Sequence, residues 1–124
     1  MAKHNDIGQW GESIARDYLV ARGYAILDSN VHVGHKELDI VAIKGNRIIF
    51  AEVKTRSDKF TDPADTIDSK KINRIVRAAD SFIRSHKIPH EAQFDIIIII
   101  GTPEGDHTIE HIPDAFMPPL RGAR

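Results

Sequence analysis

The sequence predicts an α/β protein, α+β by some schemes, in which a central mixed β-sheet is flanked by helices. Three observations favour this fold class. Apolar residues recur at helical spacing in two segments, 7–21 and 72–83. A Gly-Asn dipeptide joins two apolar stretches with the composition of strands. Segments rich in β-branched and apolar residues are predicted as strands at 24–33, 37–43, 47–54, 94–100 and 107–112. The predicted element order is therefore αβββαββ.

The first helix is predicted to begin at Asp6 and to end before Gly23. Aspartate accepts hydrogen bonds from the free amides at a helix start, and glycine readily adopts the left-handed conformation that often follows a helix. The second helix is predicted from Asp68 to about His86, with Asp68 or Ser69 as its cap. Both helices carry an apolar stripe, so each is expected to pack against the sheet.

The dipeptide Gly45-Asn46 predicts an antiparallel hairpin between the second and third strands. If these two residues form the loop, Asp39 faces Glu52, and the same register pairs Glu37 with Lys54. Residues directly opposite each other project from the same side of the sheet, with Cβ atoms about 5 Å apart. The carboxylates of Asp39 and Glu52 are therefore expected to converge.

The fourth strand, at 94–100, is apolar on both faces except for Asp95, which is typical of a strand inside a covered sheet. Segment 107–112 is predicted as its neighbour. Asp95 is expected either to support the candidate site from behind or to cap a turn or pair with an arginine.

The chain has 124 residues and no cysteine. This length predicts one domain over residues 1–124, with a core of about 6–116 and a flexible tail at 117–124. The lack of cysteine excludes disulfides and thiolate metal sites, so only oxygen and imidazole remain as metal ligands. The first six residues contain no apolar h-region, and the longest apolar run, at 96–100, is far shorter than a membrane span, so neither a secretory leader nor a membrane helix is expected. A cytoplasmic protein without membrane contact is expected.

The convergence of Asp39 and Glu52 predicts a metal site. Two carboxylates at that distance repel each other by roughly 4 kcal/mol at an effective dielectric near 20, and a divalent cation removes this cost. A site made of oxygen ligands suits Mg²⁺ or Mn²⁺, which support phosphodiester hydrolysis, and Lys54 can orient the attacking water or neutralise developing charge. The alternative is a surface ion pair with Lys54. Two acids meet where a salt bridge needs one, which favours the catalytic interpretation.

Asp39 followed by Glu52-Val53-Lys54 resembles the PD-(D/E)XK nuclease motif. A longer set of residues is similar to the YraN-like family of small bacterial predicted endonucleases, over about residues 8–116. That set is Gly11-Glu12, Tyr18-Leu19, Gly23-Tyr24, Asn30, Glu37-Leu38-Asp39, Phe50-Ala51, Glu52-Val53-Lys54, Thr55-Arg56, Lys71 and Phe94-Asp95.

The resemblance implies a restriction-endonuclease-like fold with Asp39 and Glu52 as metal ligands and Lys54 as the catalytic lysine. It also implies that Glu12 is a further metal-binding, catalytic acid of the kind seen in resolvase-like relatives. From spacing alone, Glu12 is equally compatible with a solvated helix position. The sequence departs from the pattern at Leu38, which replaces the motif proline, and at Lys36, where the family usually has glycine.

Charge is distributed unevenly along the chain. The net charge is −1, yet the segment 54–87 holds nine basic residues against five acidic ones. In the second helix, Lys70, Arg74 and Arg77 share one face, with Lys71 one step around, and they are expected to contact DNA phosphates. Arg56 is expected to act as a phosphate clamp. The alternative for the helix is an ordinary solvated face.

The sequence therefore predicts a Mg²⁺-dependent or Mn²⁺-dependent endonuclease acting on DNA, with branched or structured DNA as the substrate by resolvase analogy. A second hypothesis is a noncatalytic nucleic-acid-binding module of a DNA repair or uptake assembly. A third is an interaction protein that uses strand 96–100 as an oligomer interface. A homodimer is compatible with each hypothesis.

Overall fold

The computed structural model describes residues 4–57 and 69–116 and confirms the predicted mixed sheet and element order. The predicted cap Asp68 and the predicted tail at 117–124 lie outside the described residues. Helices and strands are numbered along the chain as α1 (His4–Ala21), β1 (Ala25–Val33), β2 (Lys36–Lys44), β3 (Arg47–Arg56), α2 (Ser69–His86), β4 (Glu91–Gly101) and β5 (His107–Ile112).

The five strands form one sheet in the order β1-β2-β3-β4-β5. Three neighbouring pairs are antiparallel, and β3 and β4 are parallel. A parallel pair needs a crossover connection, which α2 supplies. Neither described helix has the length and apolar character that a membrane crossing requires.

Each helix covers one face of the sheet. Ala15 and Leu19 of α1 pack in a buried cluster with Ile40 and Ile49. The residues that α2 buries belong to the cluster on the opposite face, where Phe50 stacks on Phe94 with ring centroids 5.7 Å apart and meets Phe82 of α2 edge-on at 6.1 Å. The two clusters fix β2 and β3, which carry the candidate site, between two packed layers.

Helix α1 ends as the sequence predicts. The amides of Gly23 and Tyr24 donate to the carbonyls of Val20 and Leu19 at 3.0 Å, and Gly23 has a φ of 88°. These are the hydrogen bonds of a Schellman motif, which requires the left-handed conformation at the glycine position. The predicted start at Asp6 is wrong by two residues, because α1 begins at His4 and helix starts are only loosely set by capping signals.

The hairpin register is confirmed next to the turn and fails at the site. Ile43 pairs with Ile48, and the ladder continues to Ile40 and Ala51 as predicted. It then stops, so the predicted pairs Asp39–Glu52 and Glu37–Lys54 are absent from the β2–β3 ladder. Instead, the backbone N–H of Val53 donates to Oδ2 of Asp39 at 2.9 Å. The Val53 amide thus bonds to a side-chain oxygen of β2 and not to a backbone carbonyl of that strand. Beyond the pair Ile40–Ala51, β2 and β3 separate.

Strand β4 lies inside the sheet between β3 and β5, and Ile97, Ile98 and Ile99 are buried. The hypothesis that segment 96–100 is an oligomer interface is therefore wrong. A continuous apolar run reflects burial of both faces of an inner strand.

Candidate active site

The candidate site lies where β2 and β3 separate. The end of the ladder brings Asp39 of β2 next to Glu52 of β3, and we refer to these two residues as the acid pair. Helix α1 adds Glu12 from one side, and α2 adds Lys71 from the other. Lys54 follows Glu52 on β3 and completes the predicted set of catalytic residues.

Asp39 occupies a break in the alternation of β2. Leu38 packs with Val41 in the cluster beneath α2, whereas Ile40 packs in the cluster beneath α1. In a regular strand Leu38 and Ile40 would share a face. Asn30, on the neighbouring strand β1, has a φ of 54°, so the irregularity extends across both strands. The break leaves the Asp39 carboxylate directed to the Val53 amide of β3.

Glu52 is almost completely buried, with 3% of its surface exposed. Its Oε1 lies 3.6 Å from Nζ of Lys36 and 3.9 Å from Nζ of Lys71. Burial raises the pKa of Glu52, the charge of Asp39 raises it further, and Lys36, Lys71 and Lys54 oppose both effects. The lysines therefore do not fully compensate the cost of keeping Glu52 ionised.

The pKa of Asp39 is also raised, mainly because the carboxyl group is buried. The Val53 amide and the charges of Lys36 and Lys54 act in the opposite direction. Both members of the acid pair are thus held in surroundings that disfavour two negative charges. Such surroundings favour a cation at the carboxylates.

Lys54 is half-buried, and its pKa is lowered to about 8. Burial is the main cause, followed by the adjacent ammonium group of Lys71, while Glu52 and Asp39 act in the opposite direction. The Lys54 ammonium therefore remains largely charged at neutral pH but releases its proton far more easily than an ordinary lysine. Perturbed groups of this kind concentrate at functional sites.

Glu12 reaches the site because α1 packs closely against β3. A Cβ atom at position 11 would collide with Oγ1 of Thr55, so any larger residue would force Thr55 or α1 to shift. Burial raises the pKa of Glu12 to about 7, and the charge of Asp39 adds to the effect, whereas a hydrogen bond from the Asn30 side chain lowers it. Glu12 is therefore partly buried and feels the charge of Asp39, unlike a fully solvated helix residue.

Asp39 and Glu52 alone fit a divalent cation better than the three predicted ligands Asp39, Glu52 and Glu12 together. The charge of Asp39 raises the pKa of both Glu12 and Glu52. In residues 4–57 and 69–116, no three His, Asp or Glu side chains are grouped closely enough to hold an ion. Mg²⁺ commonly uses one or two protein carboxylates with water and substrate oxygens, so the acid pair has the chemistry it needs.

The basic residues predicted to contact DNA differ in their exposure and contacts. Lys70, Arg74 and Arg77 are exposed on α2, and we call them the basic stripe. Lys71 instead turns toward Glu52, so the first turn of α2 touches the site and the basic stripe begins beside it. Arg56 is half-buried, donates from Nη1 to the carbonyl of Thr55 at 3.0 Å, and has a buried Nε without a hydrogen-bond partner among the described residues.

Asp95 takes part in a hydrogen-bond network that is separate from the acid pair. It is fully buried, and its carboxylate contacts Nε2 of His111 at 2.7 Å and accepts the amide of Asp114 at 2.9 Å. His111 Nδ1 in turn contacts the hydroxyl of Tyr18 on α1 at 3.1 Å. Asp95 therefore caps a turn, as one prediction had it, but its side-chain partners are His111 and Gln93, which donates from Nε2 at 3.0 Å, and not an arginine. The network joins β4, β5 and α1.

Sequence reasoning missed Lys36 as a member of the site. Its Nζ contacts the buried Glu52 carboxylate although Lys36 stands at the start of β2. The only sequence signal was its departure from the pattern of the family that the chain resembles. Glu37, predicted to pair with Lys54, instead contacts His32 of β1 at 3.5 Å.

Comparison with known proteins gives a consistent result. The family model described as "Uncharacterised protein family UPF0102" matches residues 11–99. A UPF0102 protein of Parabacteroides distasonis is 49% identical over 122 residues, which cover 98% of this chain and 100% of that protein. A UPF0102 protein of Bacteroides thetaiotaomicron is 47% identical, covering 97% of this chain and 99% of that protein. One of Syntrophomonas wolfei is 37% identical, covering 91% and 99%.

Proposed function

The chain belongs to the uncharacterised protein family UPF0102, and we propose that it is a divalent-metal-dependent endonuclease that hydrolyses phosphodiester bonds of DNA. One observation carries the proposal: the acid pair and Lys54 meet at the opening between β2 and β3, with Glu52 buried and its pKa raised. The resemblance to the PD-(D/E)XK motif supports the same assignment.

In the proposed mechanism, Asp39 and Glu52 would hold Mg²⁺ or Mn²⁺, with Glu12 as a neighbouring acid. The bound ion would polarise a phosphoryl oxygen and lower the pKa of a water molecule. The Lys54 ammonium neutralises negative charge that develops on the phosphate as water attacks phosphorus and the ester P–O bond breaks. Glu12, with a pKa of about 7, can hold or release a proton at its carboxylate near neutral pH.

DNA is the proposed substrate because a basic surface adjoins the acid pair. Lys71 contacts Glu52, and the basic stripe continues from that turn along the exposed side of α2. Exposed Lys and Arg side chains bind phosphates without reading base sequence. By the resolvase analogy, the proposed form of the substrate is branched or structured DNA.

The proposal is tested by incubating the pure protein with linear, single-stranded, flapped and four-way DNA in the presence of Mg²⁺ or Mn²⁺. Metal-dependent cleavage is expected for at least one substrate. Asp39→Asn is the matched control, because its amide oxygen can still accept the Val53 N–H while the charge is lost. Equal products from wild type and Asp39→Asn would identify a contaminating nuclease. Binding of DNA without cleavage would instead favour the noncatalytic module.

The role of the basic stripe has its own expected result. Removing the charge of Lys70, Arg74 or Arg77 should weaken DNA binding for all sequences and flatten its salt dependence by about one unit of slope per lost contact. The measurement is the DNA dissociation constant over a series of salt concentrations. Arg84→Gln serves as a control, since Arg84 lies on α2 but pairs with Asp80 at 3.0 Å. An unchanged slope in the triple variant would assign the stripe to solvent.

A further inference from the structure

Among the described residues, Lys36 is the positive charge most closely associated with the acid pair. Its Nζ lies 3.6 Å from Oε1 of Glu52, nearer than the 3.9 Å of Lys71. Among the charged side chains that lower the pKa of Asp39, Lys36 has the largest effect, and the same holds for Glu52. A single ammonium group thus acts on both carboxylates.

Burial strengthens the electrostatic interaction between Lys36 and Glu52. The side chain of Lys36 is 19% exposed and that of Glu52 is 3% exposed, so water screens their interaction only weakly. A contact of 3.6 Å is an ion pair rather than a short hydrogen bond. The ammonium group can therefore leave without breaking a directed bond, and Lys has a flexible stem that allows the movement.

From this geometry we propose that Lys36 is a built-in competitor of the divalent metal ion, occupying the acid pair in the metal-free protein and leaving it when the ion binds. The inference rests on the proposed metal centre at Asp39 and Glu52. It adds a residue that sets the metal concentration at which that centre fills. Lys36 stabilises the metal-free fold and weakens metal binding for the same reason, since it compensates the two negative charges that the ion would otherwise compensate alone.

The test is Mn²⁺ binding to the DNA-free protein by isothermal titration calorimetry, together with melting temperatures with and without Mn²⁺. Lys36→Met should tighten Mn²⁺ binding by at least about tenfold, because one positive charge close to the ion is removed in weakly screened surroundings. The same variant should melt below wild type without metal and should regain the difference at saturating Mn²⁺. Lys36→Arg keeps the charge and should bind Mn²⁺ as wild type does.

Lys44→Met is the matched control. Lys44 lies on the same strand, but its Nζ donates to the carbonyl of Arg22 at 2.7 Å, away from the acid pair. Its loss should leave the Mn²⁺ dissociation constant unchanged. Lys36→Gln provides a second neutral variant if Lys36→Met does not fold.

The outcomes separate the two proposals. Equal Mn²⁺ affinity in wild type and the neutral Lys36 variants would overturn the competition while leaving the metal centre intact. An equal loss of melting temperature with and without Mn²⁺ would also overturn it, because a purely structural ion pair behaves that way. Absence of Mn²⁺ binding in wild type and in both neutral variants would overturn the metal centre itself, and the competition with it.

Discussion

Lys54→Met is expected to slow DNA cleavage by about 10²–10³-fold without weakening metal binding. The half-buried Lys54 ammonium lies beside the acid pair, where it can neutralise charge that develops on the phosphate. Methionine keeps the length and apolar stem of lysine but removes the charge. The measurement is the single-turnover cleavage rate on whichever DNA the wild-type protein cuts.

Lys54→Arg is the control for this substitution. Arginine retains a positive charge at every accessible pH, so a role in charge neutralisation predicts partial recovery of the rate. A role in proton transfer predicts none, because arginine does not release its proton. Cleavage by Lys54→Met at the wild-type rate would remove Lys54 from the mechanism.

Metal binding is expected to stabilise the fold strongly. With free Mg²⁺ or Mn²⁺ at 100 times its dissociation constant, the free energy of unfolding should rise by about 2.7 kcal/mol. For a domain of this size the melting temperature should increase by roughly 10 °C. Both Asp39→Asn and Glu52→Gln should lose most of this increase, whereas Lys54→Met should keep it. Differential scanning calorimetry with and without metal makes the comparison.

The metal-free forms of the two acid variants should melt above metal-free wild type. A carboxyl group whose pKa is higher in the folded than in the unfolded chain destabilises the fold at any pH above both values. Asp39 and Glu52 both have raised pKa values, so their neutral isosteres remove this cost. An undiminished metal shift in both variants would show that the acid pair is not the binding site.

The sequence predicts the fold well because its local signals agree with one another. Gly23 ends α1 and the Gly45-Asn46 loop sets the β2–β3 register as far as Ile40 and Ala51. Each of these features depends on residues that are close in the chain. The apolar run in β4 likewise predicts an inner strand without reference to its partners.

The candidate site is predicted less completely, because contacts between distant segments decide it. The register set by the Gly45-Asn46 loop predicts that Asp39 lies near Glu52. It does not predict that the Asp39 side chain accepts the Val53 amide in place of a backbone carbonyl. Nothing in the local pattern indicates that Lys36, which precedes Glu52 in the sequence, and Lys71, which follows it, both contact its carboxylate. Periodicity places Lys71 next to the basic stripe, whereas packing of α2 turns it to the acid pair.

The hydrogen bond between the Val53 amide and Asp39 also determines when the entropic cost of ordering the site is incurred. A free carboxylate side chain must give up its rotational freedom when it binds a ligand, which typically costs about 0.5–1.5 kcal/mol for an immobilised side chain. Oδ2 of Asp39 is already held at 2.9 Å from the Val53 nitrogen. Folding has therefore restricted this rotamer in advance, and one acid of the pair is preorganised before any cation arrives.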